Sequence, residues 1–245
     1  MGLLPFKVSK RGLVQLALCI DLMQVAPIST LPGTLSIDPD FVGREDVLRK
    51  MDEHFTKSNW VALVGLGGIG FGLPYAIMFC YLIDDRKTEI AVHYSHKYRK
   101  RTPECHIFWV YGSTRQSFDE AYRRIAKELD IPGCDDPLFE HRKIVPRELD
   151  RQQTGPWVMI VDNADDYSLY FPPPDGALGE NEQREYLACC LPFGAENGGR
   201  LIVTTRNTKV GEDITSGSTP IQVLELAPVH ARELLRSKIP AEKWE

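Results

Sequence analysis

The chain has 245 residues, of which 43% are hydrophobic and 26% are charged, and these fractions are typical of a soluble globular protein. Its net charge of −5 argues against nucleic acid as the main partner, because a basic surface would be expected there. No stretch reaches the roughly 18 to 20 apolar residues that a membrane-spanning helix needs, so we expect no membrane partner.

The cysteines and the N-terminal sequence bear on the cellular location. The six cysteines form no CxxC pair and have no ligand-like spacing with histidine, which favours free thiols in a reducing compartment over a metal site or a disulfide framework. Basic residues precede an apolar run near the start, but Asp21 interrupts that run and no clean cleavage site follows it. We therefore expect a cytoplasmic protein.

The first ordered elements are expected after residue 40. Residues 1–40 end in a proline-containing extended stretch and are interpreted as an N-terminal extension or linker. Behind Gly43, apolar residues from Val47 to Phe55 recur at helical spacing and predict a helix. Residues 60–64 form a short apolar run that stops at a glycine cluster, as a buried parallel strand does.

The rest of the chain alternates between strand and helix patterns. Further strands are predicted at 106–110, 157–162, 200–205 and 221–226, and helices at 88–101, 117–130, 182–191 and 227–239. Ser117 is the expected N-cap of its helix, because Glu120 follows at the spacing of a capping box. This alternation predicts an α/β fold in which a mostly parallel sheet is flanked by helices.

The strongest motif follows the first predicted strand. Its glycines are Gly65, Gly67, Gly68 and Gly70. Lys87 and Thr88 open the next predicted helix, and without residues 71–86 the sequence reads GLGGIGKT, a complete GxxxxGK[ST] loop between a strand and a helix. In such a loop backbone N–H groups surround the phosphates, the lysine contacts the β- and γ-phosphates, and the threonine ligates Mg²⁺. The alternative is a glycine-rich turn followed by a chance Lys-Thr pair.

An acidic strand end supports the phosphate loop. The apolar run 157–161 ends at Asp162, which has the form of a Walker B aspartate. At the carboxyl end of a parallel strand such a residue lies beside the phosphate loop, where it can hold Mg²⁺ through water. Taken alone, Asp162 could also be an aspartate in an ordinary turn.

A third strand end carries an arginine. The run 200–205 ends in Thr204 and Thr205 and is followed by Arg206. A guanidinium at this edge could contact a γ-phosphate. By itself it could equally be an exposed loop arginine.

Five motifs together resemble a known family. In chain order they are FVGRED at 41–46, the split loop from Gly65 to Thr88, the block 106–126, VMIVDNADD at 158–166, and GGRLIVTTRN at 198–207. This order resembles the NB-ARC domains of fungal STAND proteins, which are relatives of the plant resistance and animal apoptosome nucleotide switches. The resemblance covers roughly residues 38–240.

The resemblance implies a three-layer P-loop NTPase fold and a signalling switch of the NLR-like type. ADP would be bound at rest, ATP would replace it on activation, and self-association would be the output. The implied residues are Gly65, Gly67, Gly68, Gly70, Lys87 and Thr88 for phosphate, Thr88 and Asp162 for Mg²⁺, Arg206 for the γ-phosphate, and Val42, Gly43 and Arg44, next to Phe41, for the adenine side. Asp162 is the implied catalytic residue.

The chain departs from the family pattern in two ways. Asn163 follows Asp162 where many relatives have a second acid that could orient the attacking water, so we expect slow or no hydrolysis. The helical and winged-helix subdomains that close over ADP, the effector domain and the repeat sensor are not recognised in the sequence. We therefore interpret the chain as a fragment, with a linker at 1–40, a nucleotide-binding domain at 41–240 and a truncated tail at 241–245.

The segment 71–86 splits the phosphate loop, and we hypothesise that it is a retained intron translated in frame. If Gly70 is encoded by GGG, a GT donor begins at its third base. If Arg86 is encoded by AGA or AGG, an AG acceptor lies at its first two bases, and joining the ends regenerates glycine before Lys87. Any other codon for Gly70, or a CGN codon for Arg86, excludes this splice pattern.

The split loop predicts weak or no nucleotide binding, because one rigid turn no longer fixes the backbone cradle and the lysine together. Two other interpretations stay open. One is an inactive pseudo-NTPase that serves as a protein-interaction module. The other is a P-loop kinase or AAA-type ATPase, although the sequence shows neither an acceptor-binding lid nor a second arginine finger.

Overall fold

The structure, a computed structural model, describes residues 27–33, 41, 44–65, 86–173, 186–194, 197–224 and 230. Within these ranges a parallel sheet contains five strands: β1 Trp60–Val64, β2 His106–Tyr111, β3 Trp157–Asp162, β4 Arg200–Thr205 and β5 Ile221–Gln222. The strand order across the sheet is β2-β3-β4-β1-β5, and every neighbouring pair is parallel. The first four predicted strands are confirmed. Of the predicted strand 221–226, only Ile221–Gln222 is a strand, residues 223 and 224 are not, and residues 225 and 226 lie outside the described ranges.

Helices cover both faces of this sheet. In the described ranges they are α1 Glu45–His54, α2 Arg86–Arg101, α3 Arg115–Glu128, α4 His141–Leu149, α5 Tyr167–Tyr170 and α6 Thr208–Ile214, with 3-10 turns at Gln152–Thr154 and Leu187–Cys190. Helices α1 and α2 pack on one face, which we call the α2 face, and α3, α4 and α6 pack on the other, the α3 face. The fold is therefore the predicted three-layer α/β P-loop fold.

Strand β3 shows how the sequence produces these layers. All of its residues are buried, and they alternate between the two faces because successive side chains of a strand point to opposite sides. Trp157, Met159 and Val161 join the core of the α3 face, whereas Val158 and Ile160 join that of the α2 face. A central strand covered by helices on both sides is thus apolar throughout.

Helices α4, α5 and α6 were not predicted from the sequence, and the predicted helices differ in some details. Helix α3 begins at Arg115, and its N-cap is Thr114, whose side chain accepts a hydrogen bond from the Ser117 N–H, so the prediction of Ser117 as N-cap was wrong. The described part of the predicted helix 182–191 is the 3-10 turn. Of the predicted helix 227–239 only residue 230 is described, as helix.

Part of the predicted N-terminal extension pairs with the sheet. Ser29 forms a parallel bridge with Ile107 of β2, and the Thr30 N–H donates to the Ile107 carbonyl at 3.0 Å. The predicted domain limits at residues 40 and 240 stay predictions. Across the described ranges, no helix is both long enough and apolar enough to span a bilayer.

Candidate functional site

The predicted site residues meet at the edge where the strands end, which we call the carboxyl edge. Val64 of β1 pairs with Thr205 of β4, and Val161 of β3 pairs with Val203. Asp162, the last residue of β3, therefore lies beside Thr204, the last residue but one of β4. In open α/β sheets ligands bind outside the carboxyl ends of the strands. The sheet topology alone therefore brings the Walker B strand, the threonine-rich strand and the start of the phosphate loop together.

Asp162 is the centre of a buried hydrogen-bond cluster. Its side chain is 4% exposed, and its Oδ1 accepts hydrogen bonds from Thr88 Oγ1 at 2.7 Å and from Thr204 Oγ1 at 2.6 Å. A buried carboxylate is costly unless it is paired or hydrogen-bonded, and hydrogen bonds to an ionised acceptor are short and strong. The two threonines thus stabilise Asp162 and fix its orientation.

Lys87 lies at the start of the phosphate loop despite its distance along the chain. It occupies the first turn of α2, is 7% exposed, and its Nζ donates to the Gly65 carbonyl at 3.3 Å. A Cβ on Gly65 would lie 2.9 Å from the Val223 carbonyl oxygen. This close approach of the backbone at the end of β1 favours glycine at position 65. Gly67, Gly68, Gly70 and residues 71–85 lie outside the described residues.

Thr88 and Asp162 provide oxygen ligands suited to a hard divalent cation. The Thr88 hydroxyl donates its hydrogen bond to Asp162. The lone pairs of Thr88 Oγ1 are therefore available to coordinate a metal. In the described ranges no group of three or more His, Cys, Asp or Glu residues could hold a metal by itself. This set fits Mg²⁺, which is commonly held by one or two protein ligands together with phosphate oxygens and water.

Arg206 is held at the same edge by Asp165, for which the sequence motifs predicted no role. The Arg206 N–H donates to Asp165 Oδ1 at 2.7 Å, and its Nε lies 3.5 Å from Asp165 Oδ2. Asp165 Oδ1 also accepts from Thr205 Oγ1 at 3.3 Å. The Arg206 side chain is half-exposed, so its guanidinium lies next to solvent beside the Walker B strand.

Arg44 is buried near the end of β5. Its Nη1 donates to the Leu224 carbonyl at 2.7 Å, whereas its Nε is buried and has no hydrogen-bond partner among the described residues. Burial lowers the pKa of the guanidinium. Phe41 stacks on His93 of α2 with ring centres 4.0 Å apart. Val42 and Gly43 lie outside the described residues.

Thr204 and Asn163 also belong to the cluster, although neither was among the predicted site residues. Thr204 donates to Asp162 and accepts from the Asn163 N–H at 3.0 Å. Asn163 has a left-handed φ of 59°, and its Nδ2 donates to the Tyr111 hydroxyl at 3.3 Å. A hydroxyl residue at the end of the strand next to Walker B was a readable signal for Thr204. The Tyr111 contact depends on side-chain geometry that the sequence pattern does not carry.

A cavity of about 560 Å³ lies elsewhere, between α3, α4 and residues 189–193. Arg142 contributes to its wall and forms two hydrogen bonds with Asp119, at 2.5 and 2.6 Å. None of the predicted site residues lines this cavity. Its position therefore does not support a nucleotide site there.

The chain is similar to proteins of known sequence and structure. A protein of Hyaloscypha variabilis described as a nucleotide-binding leucine-rich repeat (NLR)-like protein is 27% identical over 205 residues, which is 81% of this chain and 19% of that protein. A Walker-type ATPase of Pyrococcus abyssi superposes with a TM-score of 0.47 and 15% identity, covering 83% of this chain and 61% of that chain. No family model matches the chain.

The relative supports the interpretation of the motifs. Its match confirms the resemblance to NLR-like proteins that the five motifs indicated. The chain spans less than a fifth of the length of this relative.

Proposed function

We propose that the chain is an NTPase-type nucleotide-binding domain, an ADP/ATP switch module of the STAND class whose phosphate loop is interrupted by residues 71–86. The observation that carries this proposal is the buried cluster of Thr88, Asp162 and Thr204, with Lys87 against the Gly65 carbonyl. A lysine, a threonine and an acid in these positions are the groups that phosphate and Mg²⁺ require.

Each residue has a separate role in this proposal. Lys87 contacts the β- and γ-phosphates, and Thr88 with Asp162 holds Mg²⁺, which neutralises charge on the phosphate oxygens. Arg206 exchanges its contact with Asp165 for the γ-phosphate, as a guanidinium prefers a doubly charged acceptor. The Nε of Arg44, which has no hydrogen-bond partner in the part of the chain that the structure describes, supplies a donor on the adenine side.

The interruption weakens binding without removing the contact groups. Lys87 and Thr88 already lie at the carboxyl edge, so the weakness that we propose comes from the backbone cradle. Closing a long loop between Gly70 and Lys87 costs on the order of a few kcal/mol, and each 1.4 kcal/mol corresponds to about a tenfold loss of affinity. Hydrolysis is slow as well, because Asn163 lacks the carboxylate that would orient water.

Lys87 provides the test of the site. In a variant lacking residues 71–86, Lys87→Ala should weaken ADP binding by about two orders of magnitude, since it removes a charge-assisted contact of about 2 to 3 kcal/mol. The matched control is Lys50→Ala, on the exposed surface of α1. Calorimetric titration with ADP and Mg²⁺ measures both. Equal losses in the two variants would show that the nucleotide does not bind at this site.

A second candidate function is an inactive pseudo-NTPase that binds other proteins, including further copies or the effector and repeat domains of a longer protein. The observation in its favour is the amide of Asn163, held by Tyr111 where an acid would be needed for hydrolysis. Micromolar ADP affinity of the full chain would contradict it.

A further inference from the structure

The free edge of β2 is covered by a short segment from the N-terminal part of the chain. Residues 27–33 run parallel to β2, which is an outer strand of the sheet. The Ile107 N–H donates to the Ile28 carbonyl at 2.9 Å, and the Thr30 N–H donates to the Ile107 carbonyl at 3.0 Å. The segment therefore satisfies backbone groups that an open sheet edge would leave unpaired.

Three side chains complete this attachment. Ile28 N–H donates to His106 Nδ1 at 3.1 Å, and Arg99 Nη2 donates to the Ile28 carbonyl at 2.8 Å. At the other end, Thr30 Oγ1 accepts from the Trp109 N–H at 2.8 Å. The segment thus depends on two side chains of the domain, and on one of its own, in addition to two backbone bonds.

The apolar contacts of the segment are small. Ile28 packs against the core of the α3 face and Leu31 against that of the α2 face, and both are only partly buried. With so few apolar contacts, the polar contacts carry a large share of the attachment. A segment of this kind opens locally at a lower free energy than the central strands do.

His106 makes the attachment sensitive to protonation. Only a neutral imidazole can accept a hydrogen bond at Nδ1, because both ring nitrogens of the protonated form are donors. A proton on Nδ1 would face the Ile28 N–H, which is itself a donor. The attachment therefore requires the neutral form of His106.

The groups around His106 favour that neutral form. Burial lowers its pKa most, and the Arg99 cation of α2 lowers it further, while a hydrogen bond with the Thr154 backbone acts in the opposite direction. Cys105 directly precedes His106 in the chain, and burial raises the pKa of its thiol to about 12, so this neighbour stays uncharged. Residues 27–33 contain no titratable side chain.

We propose that residues 27–33 form a releasable strand, which we call the edge latch, and that protonation of His106 releases it from β2. Release leaves the N–H and carbonyl of Ile107 without their backbone partners at the edge of the sheet. The latch links whatever lies N-terminal of residue 27 to the sheet of the domain.

The sign of the effect follows from the pKa of His106. In the attached state the pKa of His106 lies below the ordinary value of 6.5. At acid pH the released state therefore binds more protons than the attached state. Attachment is therefore at full strength above about pH 6.5. It weakens up to tenfold for each pH unit below that value, until the pKa of the attached state is reached.

Hydrogen exchange of the full chain tests the latch. Protection of the Ile28, Ile107 and Trp109 amides, corrected for the intrinsic exchange rate at each pH, should fall several-fold, by up to about tenfold, between pH 7.5 and 5.5. Protection in the middle of α3 serves as the reference and should stay constant. Constant protection of the three latch amides over this range would overturn the proposal.

Two substitutions identify the titrating group. His106→Asn keeps an acceptor near the position of Nδ1, and should keep the latch attached at both pH values. His106→Gln extends beyond that position, and should loosen the latch equally at both. In each variant the other five histidines, at 54, 93, 96, 141 and 230, remain. A pH-dependent loss of protection that persists in either variant would therefore assign the effect to another group and overturn the proposal.

Discussion

The carboxylate of Asp162 is almost completely buried, and its stability there depends on two hydroxyl groups that have different expected roles. Thr88 and Thr204 both donate to Oδ1, at 2.7 and 2.6 Å. Only Thr88 follows a phosphate-loop lysine, so only Thr88 is proposed to ligate Mg²⁺. The two threonines should therefore be alike in stability and different in function.

Substitution of each threonine by valine separates these roles. Thr88→Val and Thr204→Val should each lower the free energy of unfolding by about 1–3 kcal/mol, because each removes a donor from a buried charge. In the variant lacking residues 71–86, only Thr88→Val should abolish the dependence of ADP affinity on Mg²⁺. Urea unfolding and calorimetry with and without Mg²⁺ measure the two effects. Loss of the Mg²⁺ dependence in Thr204→Val as well would contradict the assignment of Thr88.

At the scale of secondary structure, the strands were largely predictable, whereas helices α4, α5 and α6 were not predicted. Where strand and helix patterns alternate along a chain, a short and fully apolar run such as 157–161 indicates a strand buried on both faces. Helix α4 carries Pro146 within it, and α6 is short and contains Gly211, so both contradict the usual signals for a helix. Tertiary contacts, which the sequence pattern does not show, decide such elements.

The N-cap of α3 shows why one signal misled. Ser117 and Glu120 have the spacing of a capping box, but Thr114 already accepts the hydrogen bond from the Ser117 N–H. Thr114 and Ser117 are both residue types suited to capping. Because β2 ends at Tyr111, the helix can already begin after Thr114.

Thr114→Ala should therefore lower the free energy of unfolding by about 1 kcal/mol, since it leaves the first-turn N–H without its acceptor. Thr114→Ser keeps the oxygen and should cost only a few tenths of that amount. Chemical denaturation monitored by circular dichroism gives both values. A loss in the serine variant as large as in the alanine variant would show that the methyl packing, and not the cap, matters at this position.

For the whole molecule, the sequence predicted which residues converge on the carboxyl edge, but not how they contact each other. The order of motifs and a parallel sheet were enough to bring Lys87, Thr88 and Asp162 to one edge. The position of Thr204 near its strand end was readable from the sequence. Its hydrogen bond to Asp162 and the pairing of Arg206 with Asp165 were not, because they depend on the register of β3 against β4. The covering of the β2 edge by residues 27–33 was hidden for another reason, since a short proline-containing segment has the composition of a linker.

The proposed function requires that the domain keep its phosphate-contacting residues in place while residues 71–86 interrupt its backbone cradle. Calorimetric titration of ADP and Mg²⁺ into the full chain and into the variant lacking residues 71–86 tests this claim directly. We expect binding that is weak or undetectable in the full chain and tighter by at least tenfold in the shortened variant. Equal affinities in the two proteins, or no binding by either, would contradict it.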